Sequence, residues 1–237
     1  MNRCFSPVFE PKASMKEITF IFDLDGTLLN TLRDLADATN YALRQYDMPE
    51  HSIDDIRQFV GNGIRRLMER AVPGGAENPK LEEVLSAFRR YYMEHSLDNT
   101  CPYDGIPELL HELKRRGHRM AVVSNKIMAA TQELVAHFFP EIDVAIGENE
   151  AAGIRKKPAA DMVYEALRLT GADTEHTVYV GDSDVDLQTA MNAGLPCISV
   201  LWGFRSRDFL SSRGATTFVE RPEEILNLKS FFSKIQR

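Results

Sequence analysis

Along most of this chain, short uninterrupted apolar runs alternate with stretches of helical periodicity. Five runs rich in β-branched and aromatic residues read as buried strands: Ile18–Phe22, Met120–Val123, Ile142–Ile146, Thr177–Val180 and Cys197–Leu201. Thr216–Val219 adds a sixth at an edge. Helical patterns lie between them. One opens at Gly105-Ile106-Pro107, carries Leu109, Leu110 and Leu113 on one face, and stops at Gly117. A second opens at Pro158, carries Met162, Val163, Ala166 and Leu167, and closes at Gly171; a third runs from Asp184 to Asn192 and ends at Gly194. Strands alternating with helices predict a parallel sheet covered on both faces.

The alternation fails from Thr31 to Asp104, where no strand pattern occurs. Leu32, Leu35, Ala36, Thr39, Leu43 and Tyr46 recur at helical spacing. Ile64, Leu67, Met68 and Ala71 form a second such face, and Leu81, Val84, Leu85, Phe88 and Tyr92 a third. The expected architecture is α/β: a Rossmann-like parallel sheet core flanked by helices, formed by residues 1–30 and 105–237. An all-helical cap, residues 31–104, is inserted after the first strand, with hinges near Asn30–Leu32 and Asp98–Asp104. Met15, just before the first strand, reads as an alternative start, which makes residues 1–14 a leader.

A 237-residue chain with 43% hydrophobic residues has enough apolar material for such a core. The formal charge of −7 argues against a general nucleic-acid or membrane binder, and no apolar run is long enough to span a bilayer. Cys4, Cys101 and Cys197 have neither metal-ligand spacing nor a disulfide framework, so reduced thiols in a cytoplasmic protein are expected. The six histidines are scattered without ligand spacing.

Candidate chemistry sits where the strands stop, which is where open α/β sheets bind ligands. Asp23 and Asp25 are two residues apart, so in extended geometry their carboxylates project to the same side, and Gly26 permits a sharp turn. Paired carboxylates need a cation, and hard oxygen ligands suit magnesium. One can attack phosphorus while the other handles the leaving-group proton. Taken alone, the pair reads equally as two solvated acids in a loop. Ser124-Asn125-Lys126 follows the second strand and reads as a cap and turn or as an anion site. Lys156-Lys157-Pro158 follows the third; Lys157 is a surface charge or the countercharge of a phosphate. Gly181-Asp182 follows the fourth and offers a further hard ligand, with Asp186 one helical turn onward. Trp202-Gly203-Phe204 follows the fifth and reads as packing first, with an edge of the site as the alternative.

Four such clusters in this order, with a helical insert after the first, resemble the haloacid dehalogenase-like hydrolase superfamily from Lys16 onward. Phe59-Val60-Gly61-Asn62-Gly63, Leu67-Met68-Glu69-Arg70-Ala71 and Pro102-Tyr103-Asp104-Gly105-Ile106-Pro107 resemble its phosphoglycolate phosphatase branch. Ala160 stands where members often carry a second proline. The resemblance implies that Asp23 attacks phosphorus and Asp25 acts as general acid, then base. It implies that Ser124, Asn125 and Lys157 hold the phosphoryl group. Magnesium is expected on Asp23, Asp182 and the backbone carbonyl of Asp25, with Asp186 and Thr27 behind these ligands. Gly61, Asn62, Gly63 and Arg65 are candidates for recognising a substrate carboxylate; a flexible turn and a solvated basic helix face account for them equally.

The implied activity is magnesium-dependent hydrolysis of a small phosphate monoester, 2-phosphoglycolate first, through an aspartyl phosphate. Pyrophosphate, nucleoside monophosphates and sugar phosphates follow as substrates, and a sugar phosphomutase uses the same four motifs. A dehalogenase is not expected to carry Asp25. An imine-forming carbon–phosphorus lyase needs a cap lysine, and residues 31–103 contain only Lys80. A phosphate-binding regulatory module without turnover is the non-enzymatic alternative. The expected partner is a small phosphorylated metabolite, met in the cytoplasm by a monomer or homodimer.

Overall fold

The computed structural model describes residues 17–227, so the reading of residues 1–14 as a leader lies outside the described residues. Its main sheet contains β1 (Thr19–Phe22), β4 (Arg119–Ile127), β5 (Val144–Glu148), β6 (Thr177–Gly181), β7 (Cys197–Val200) and β8 (Phe218–Val219). The spatial order is β5-β4-β1-β6-β7-β8, and every pairing is parallel. The chain leaves β1 for β4 on one side and later returns to β6 on the other, so the carboxyl end of β1 lies at the switch point of the sheet.

Alternation along the central strand sends Phe20 and Phe22 to one face and Ile21 to the other. The first face packs on α5 (Ile106–Arg115) and α6 (Met128–Phe138) through Leu109, Leu110, Leu113 and Leu134. The second packs on α7 (Asp161–Thr170) and α8 (Asp184–Ala193) through Met162, Val163, Ala166 and Ala190. β5 begins two residues later than its apolar run predicts. β4 does not stop before Ser124 but continues to Ile127, with a register irregularity after Val123 that holds the polar tripeptide.

Between β1 and β4 lie α1 (Leu32–Arg44), α2 (Ile53–Phe59), α3 (Ile64–Ala71) and α4 (Leu81–His95). They share an apolar cluster of their own, centred on Leu43, Met68, Val84 and Phe88, to which the core lends Phe204. Two elements of this block are absent from the periodicity reading. The helix α2 is short, and its start is fixed by a reciprocal cap in which Ser52 and Asp55 satisfy each other's backbone N–H groups. β3 (Cys101–Pro102) is a strand where none was expected; it pairs antiparallel with β2 (Leu29–Asn30) and joins the two connections into one short ladder.

Beside that ladder the Asp34 carboxylate is buried. It accepts hydrogen bonds from the backbone N–H of Asn99 and Thr100, the Asn99 amide and the Thr100 hydroxyl, at 2.8–3.1 Å. Removing it leaves those donors without partners. Asp34→Ala is therefore expected to cost about 2–4 kcal/mol in denaturant unfolding.

Candidate active site

β1 carries Phe20, Ile21 and Phe22, all buried, to the switch point, and the next residue, Asp23, donates its N–H to the Val180 carbonyl at 2.9 Å. Leu24 turns into the core, which leaves Asp23 and Asp25 facing the same pocket. Gly26 has φ of +88°, and a Cβ there would lie 2.5 Å from Asp182 Oδ2. Gly203 approaches the same carboxylate from the other side, again with no room for a Cβ. Two glycines thus clasp Asp182. Its Oδ2 accepts the Phe204 N–H at 2.7 Å, and its Oδ1 accepts the Thr27 hydroxyl at 3.4 Å.

Asp23, Asp182 and Asp186 each offer an oxygen within 4.8 Å of the others, and all three residues are buried. Three hard oxygen donors in one buried cluster fit a divalent cation. Their protonation points the same way. Burial, then the neighbouring Asp186 carboxylate, pushes Asp182 up to about 7. Burial and Asp186 also push Asp23 well above the carboxylate range against the pull of Lys157. Asp23 is therefore not readily ionised in the bare cluster: three acids crowd one buried space, and a cation is what makes full ionisation favourable.

Lys157 supplies one positive charge. Its Nζ lies 2.7 Å from Asp23 and 2.8 Å from Asp186, and it donates to the Tyr179 hydroxyl at 3.2 Å. Burial favours the neutral amine, but Asp186 and Asp23 outweigh it and raise the pKa well above the ordinary lysine value. Asp186 is engaged at both oxygens, Oδ1 by Lys157 and Tyr179 and Oδ2 by the N–H and hydroxyl of Ser183, which it caps.

Ser124 is buried and lines the pocket. The Asn125 side chain also reaches it, but both ends of its amide are occupied. Oδ1 accepts the Lys157 N–H at 2.8 Å, while Nδ2 donates to the carbonyls of Lys157 and Gly61 at 3.1 and 3.4 Å. Asn125 thus joins three loops. Gly61 and Gly63 line the pocket, whereas Asn62 turns away to accept from Arg70 at 2.8 Å. Arg65 also faces away, half exposed and 2.7 Å from Glu82.

Three side chains at the site escaped the sequence reading. The Lys126 ammonium is buried and donates to Asp25 at 2.8 and 3.1 Å. Tyr92 from α4 closes the pocket above it, with its ring 4.9 Å from Lys126 Nζ. Arg205 reaches from the core to α2, donating to the carbonyls of Arg57 and Val60 at 2.8 Å and more distantly to Gln58. The loop from Trp202 to Arg205 therefore does more than pack: Trp202 donates to the Thr27 carbonyl at 2.9 Å, and Phe204 and Arg205 line the pocket. Adjacency to Ser124-Asn125 was the available signal for Lys126. For Tyr92 and Arg205 no local pattern distinguishes them from core and surface residues.

The sequence profile of the haloacid dehalogenase-like hydrolases matches residues 20–200, which contain the acids and both lysines of the site. The chain belongs to that family. A phosphoglycolate phosphatase of Aquifex aeolicus is 30% identical over 210 residues, 88% of this chain and 94% of the relative. A pyrophosphatase of Bacillus mycoides is 26% identical over 91% of this chain and 98% of its own length. Among solved structures, a candidate phosphoglycolate phosphatase from Lactobacillus delbrueckii superposes with a TM-score of 0.84 at 37% identity, covering 89% of this chain and 97% of that one. These similarities place the chain in the phosphoglycolate phosphatase-like branch, as a phosphoric monoester hydrolase acting on a small phosphorylated substrate. Among the described residues no helix is long and apolar enough to cross a membrane.

Proposed function

We propose that this phosphatase hydrolyses 2-phosphoglycolate with magnesium, through phosphorylated Asp23. One observation carries the reading: Asp23, Asp182 and Lys157, far apart in sequence, meet at the carboxyl end of β1 with Asp25 beside them. Asp23 and Asp182 would hold magnesium with the Asp25 carbonyl, while Asp186 orients Lys157 and Thr27 steadies Asp182. When bound, the cation neutralises charge on the phosphoryl oxygens and keeps the acids ionised. Lys157 and the Ser124 hydroxyl bind the phosphoryl oxygens, and Asn125 fixes the Lys157 loop. Asp23 attacks phosphorus in line with the leaving oxygen, which takes a proton from Asp25. Asp25 then removes a proton from the water that cleaves the acyl phosphate.

The segment 31–104 acts in this reading as a cap on a core formed by the chain on either side of it. Its separate apolar cluster and the β2–β3 ladder support that division. A pocket of about 50 Å³ lies between the two parts and is lined by residues of both, so movement of the cap is expected to admit substrate. Arg205 holds it shut. Arg205→Leu is expected to lower kcat/KM about tenfold, mainly through KM, in steady-state phosphate release.

A small pocket shared by cap and core supports a two-carbon substrate over a nucleotide or a sugar phosphate. Pyrophosphate is the second reading, favoured by the relative of that name. An acidic chain working in the cytoplasm as a monomer or homodimer, with no nucleic-acid or membrane partner, completes the proposal, supported by the charge of −7. The deciding experiment is phosphate release from phosphoglycolate, pyrophosphate, nucleoside monophosphates and sugar phosphates, with and without magnesium. Phosphoglycolate is expected to lead in kcat/KM; a wide margin for another substrate overturns the assignment.

A further inference from the structure

We propose that Lys126 and Tyr92 together form the subsite for the carboxylate of the substrate's leaving group, an inference that rests on the phosphoglycolate reading above. With phosphorus held between Asp23 and Lys157, the bridging oxygen must lie within reach of Asp25, which protonates it. The carboxyl carbon of glycolate is two bonds beyond that oxygen. The next polar groups past Asp25 are the Lys126 ammonium, 2.8 Å from its carboxylate, and the Tyr92 hydroxyl on the cap side.

Tyr92 is 1% exposed, yet its hydroxyl has no hydrogen-bond partner of acceptable geometry, although the Lys126 ammonium is its neighbour. A buried phenol without a partner is costly unless a ligand completes it. Burial pushes the Tyr92 pKa up against the pull of Lys126, so at neutral pH the hydroxyl keeps its proton and can donate. Lys126 is buried with its ammonium donating to the Asp25 carboxylate at 2.8 and 3.1 Å. One cation and one donor thus face a space whose other cap-side walls are Gly61, Gly63 and the apolar side chains of Leu35, Val60, Ile64 and Leu67.

The competing cations are committed elsewhere. Arg205 is spent on α2 carbonyls, and Arg65 pairs with Glu82 on the exposed side. Gly61 directs its carbonyl, an acceptor, at Asn125. Placing one member of the pair on the strand-end bulge and the other on α4 also means that the subsite is complete only when the cap is down. Binding of the carboxylate is thereby tied to closure over the phosphoryl group.

The test compares phosphoglycolate with ethyl phosphate, which has the same two-carbon skeleton without the carboxylate, in saturating magnesium. In wild type the kcat/KM ratio of the two substrates is expected to favour phosphoglycolate. Tyr92→Phe removes only the hydroxyl and is expected to lower that ratio about tenfold or more, chiefly through KM for phosphoglycolate. Lys126→Gln is expected to lower it at least as far. A merely structural role slows both substrates alike and leaves the ratio in place. A wild-type preference that survives within about twofold in both variants overturns the subsite while leaving the substrate reading intact. A wild-type enzyme with no preference overturns the substrate reading and the subsite with it.

Discussion

Purified Asp23→Asn is expected to release phosphate at less than about 10⁻⁴ of the wild-type kcat while unfolding no earlier than the parent. The amide carries no charge to bring against phosphorus and cannot form the acyl phosphate. Its carbonyl can still accept from Lys157, and replacing one of three crowded buried acids relieves repulsion rather than creating it. Circular dichroism and a melting curve on the sample used for kinetics separate loss of chemistry from loss of fold. A rate within about tenfold of wild type would end the covalent mechanism. Asp25→Asn sharpens the assignment. A proton donor matters most for a poor leaving group, so the loss should be much larger with an alkyl phosphate than with a nitrophenyl phosphate. Equal losses on both would remove Asp25 from the proton-transfer role.

Legibility in the sequence followed the range of the interaction. β1 was readable because Phe20, Ile21 and Phe22 run without interruption into Asp23, and its burial on both faces is the reason for that run. The faces of α1, α3 and α4 were readable because each repeats its apolar positions over several turns. α2 was not, since in seven residues only Ile56 is fully buried and three charges interrupt the pattern; the Ser52–Asp55 cap was its one local mark. A ladder of two residue pairs has no period at all, so β2–β3 and its Asp34 clasp appear only once α1 and the segment at Asn99 are brought together.

The same distinction runs through the site. Asp23, Asp25 and Asp182 stood out because they follow strand ends, and Lys157 because it lies in the loop beyond one, positions that topology makes chemical. Lys126 stood in such a cluster without a role of its own, and Tyr92 and Arg205 belong to the site through tertiary contact alone. An aromatic on an amphipathic helix is ordinarily core, and nothing within α4 says that the hydroxyl of Tyr92 is left without a partner. Asn125 shows the complementary error: its residue type suits an anion site, but the amide is taken up in holding Lys157 and Gly61.

Magnesium removal should carry the second large effect, and its pH dependence follows from the acids that hold the ion. Chelation is expected to abolish turnover, with recovery on adding magnesium back. Without the cation, Asp182 titrates near 7 rather than at its ordinary 3.8, so the folded chain keeps a proton that the unfolded chain releases. A raised acid contributes stability that is complete below the unfolded value and is lost as pH rises through the folded one. The metal-free protein should therefore lose stability from this group across the window from 3.8 to about 7, and Asp23, shifted in the same direction, adds to the loss. The cation acts oppositely because it binds only the ionised acids. Its affinity should fall about tenfold for each pH unit below about 7, where a proton must leave before it can bind. Melting curves with and without magnesium, from about pH 5.5 to about pH 8, should show a stabilisation that grows steeply with pH. A magnesium-induced rise in Tm that stays constant over that range would mean either that Asp23 and Asp182 are already ionised without the cation or that the ion binds outside the buried cluster.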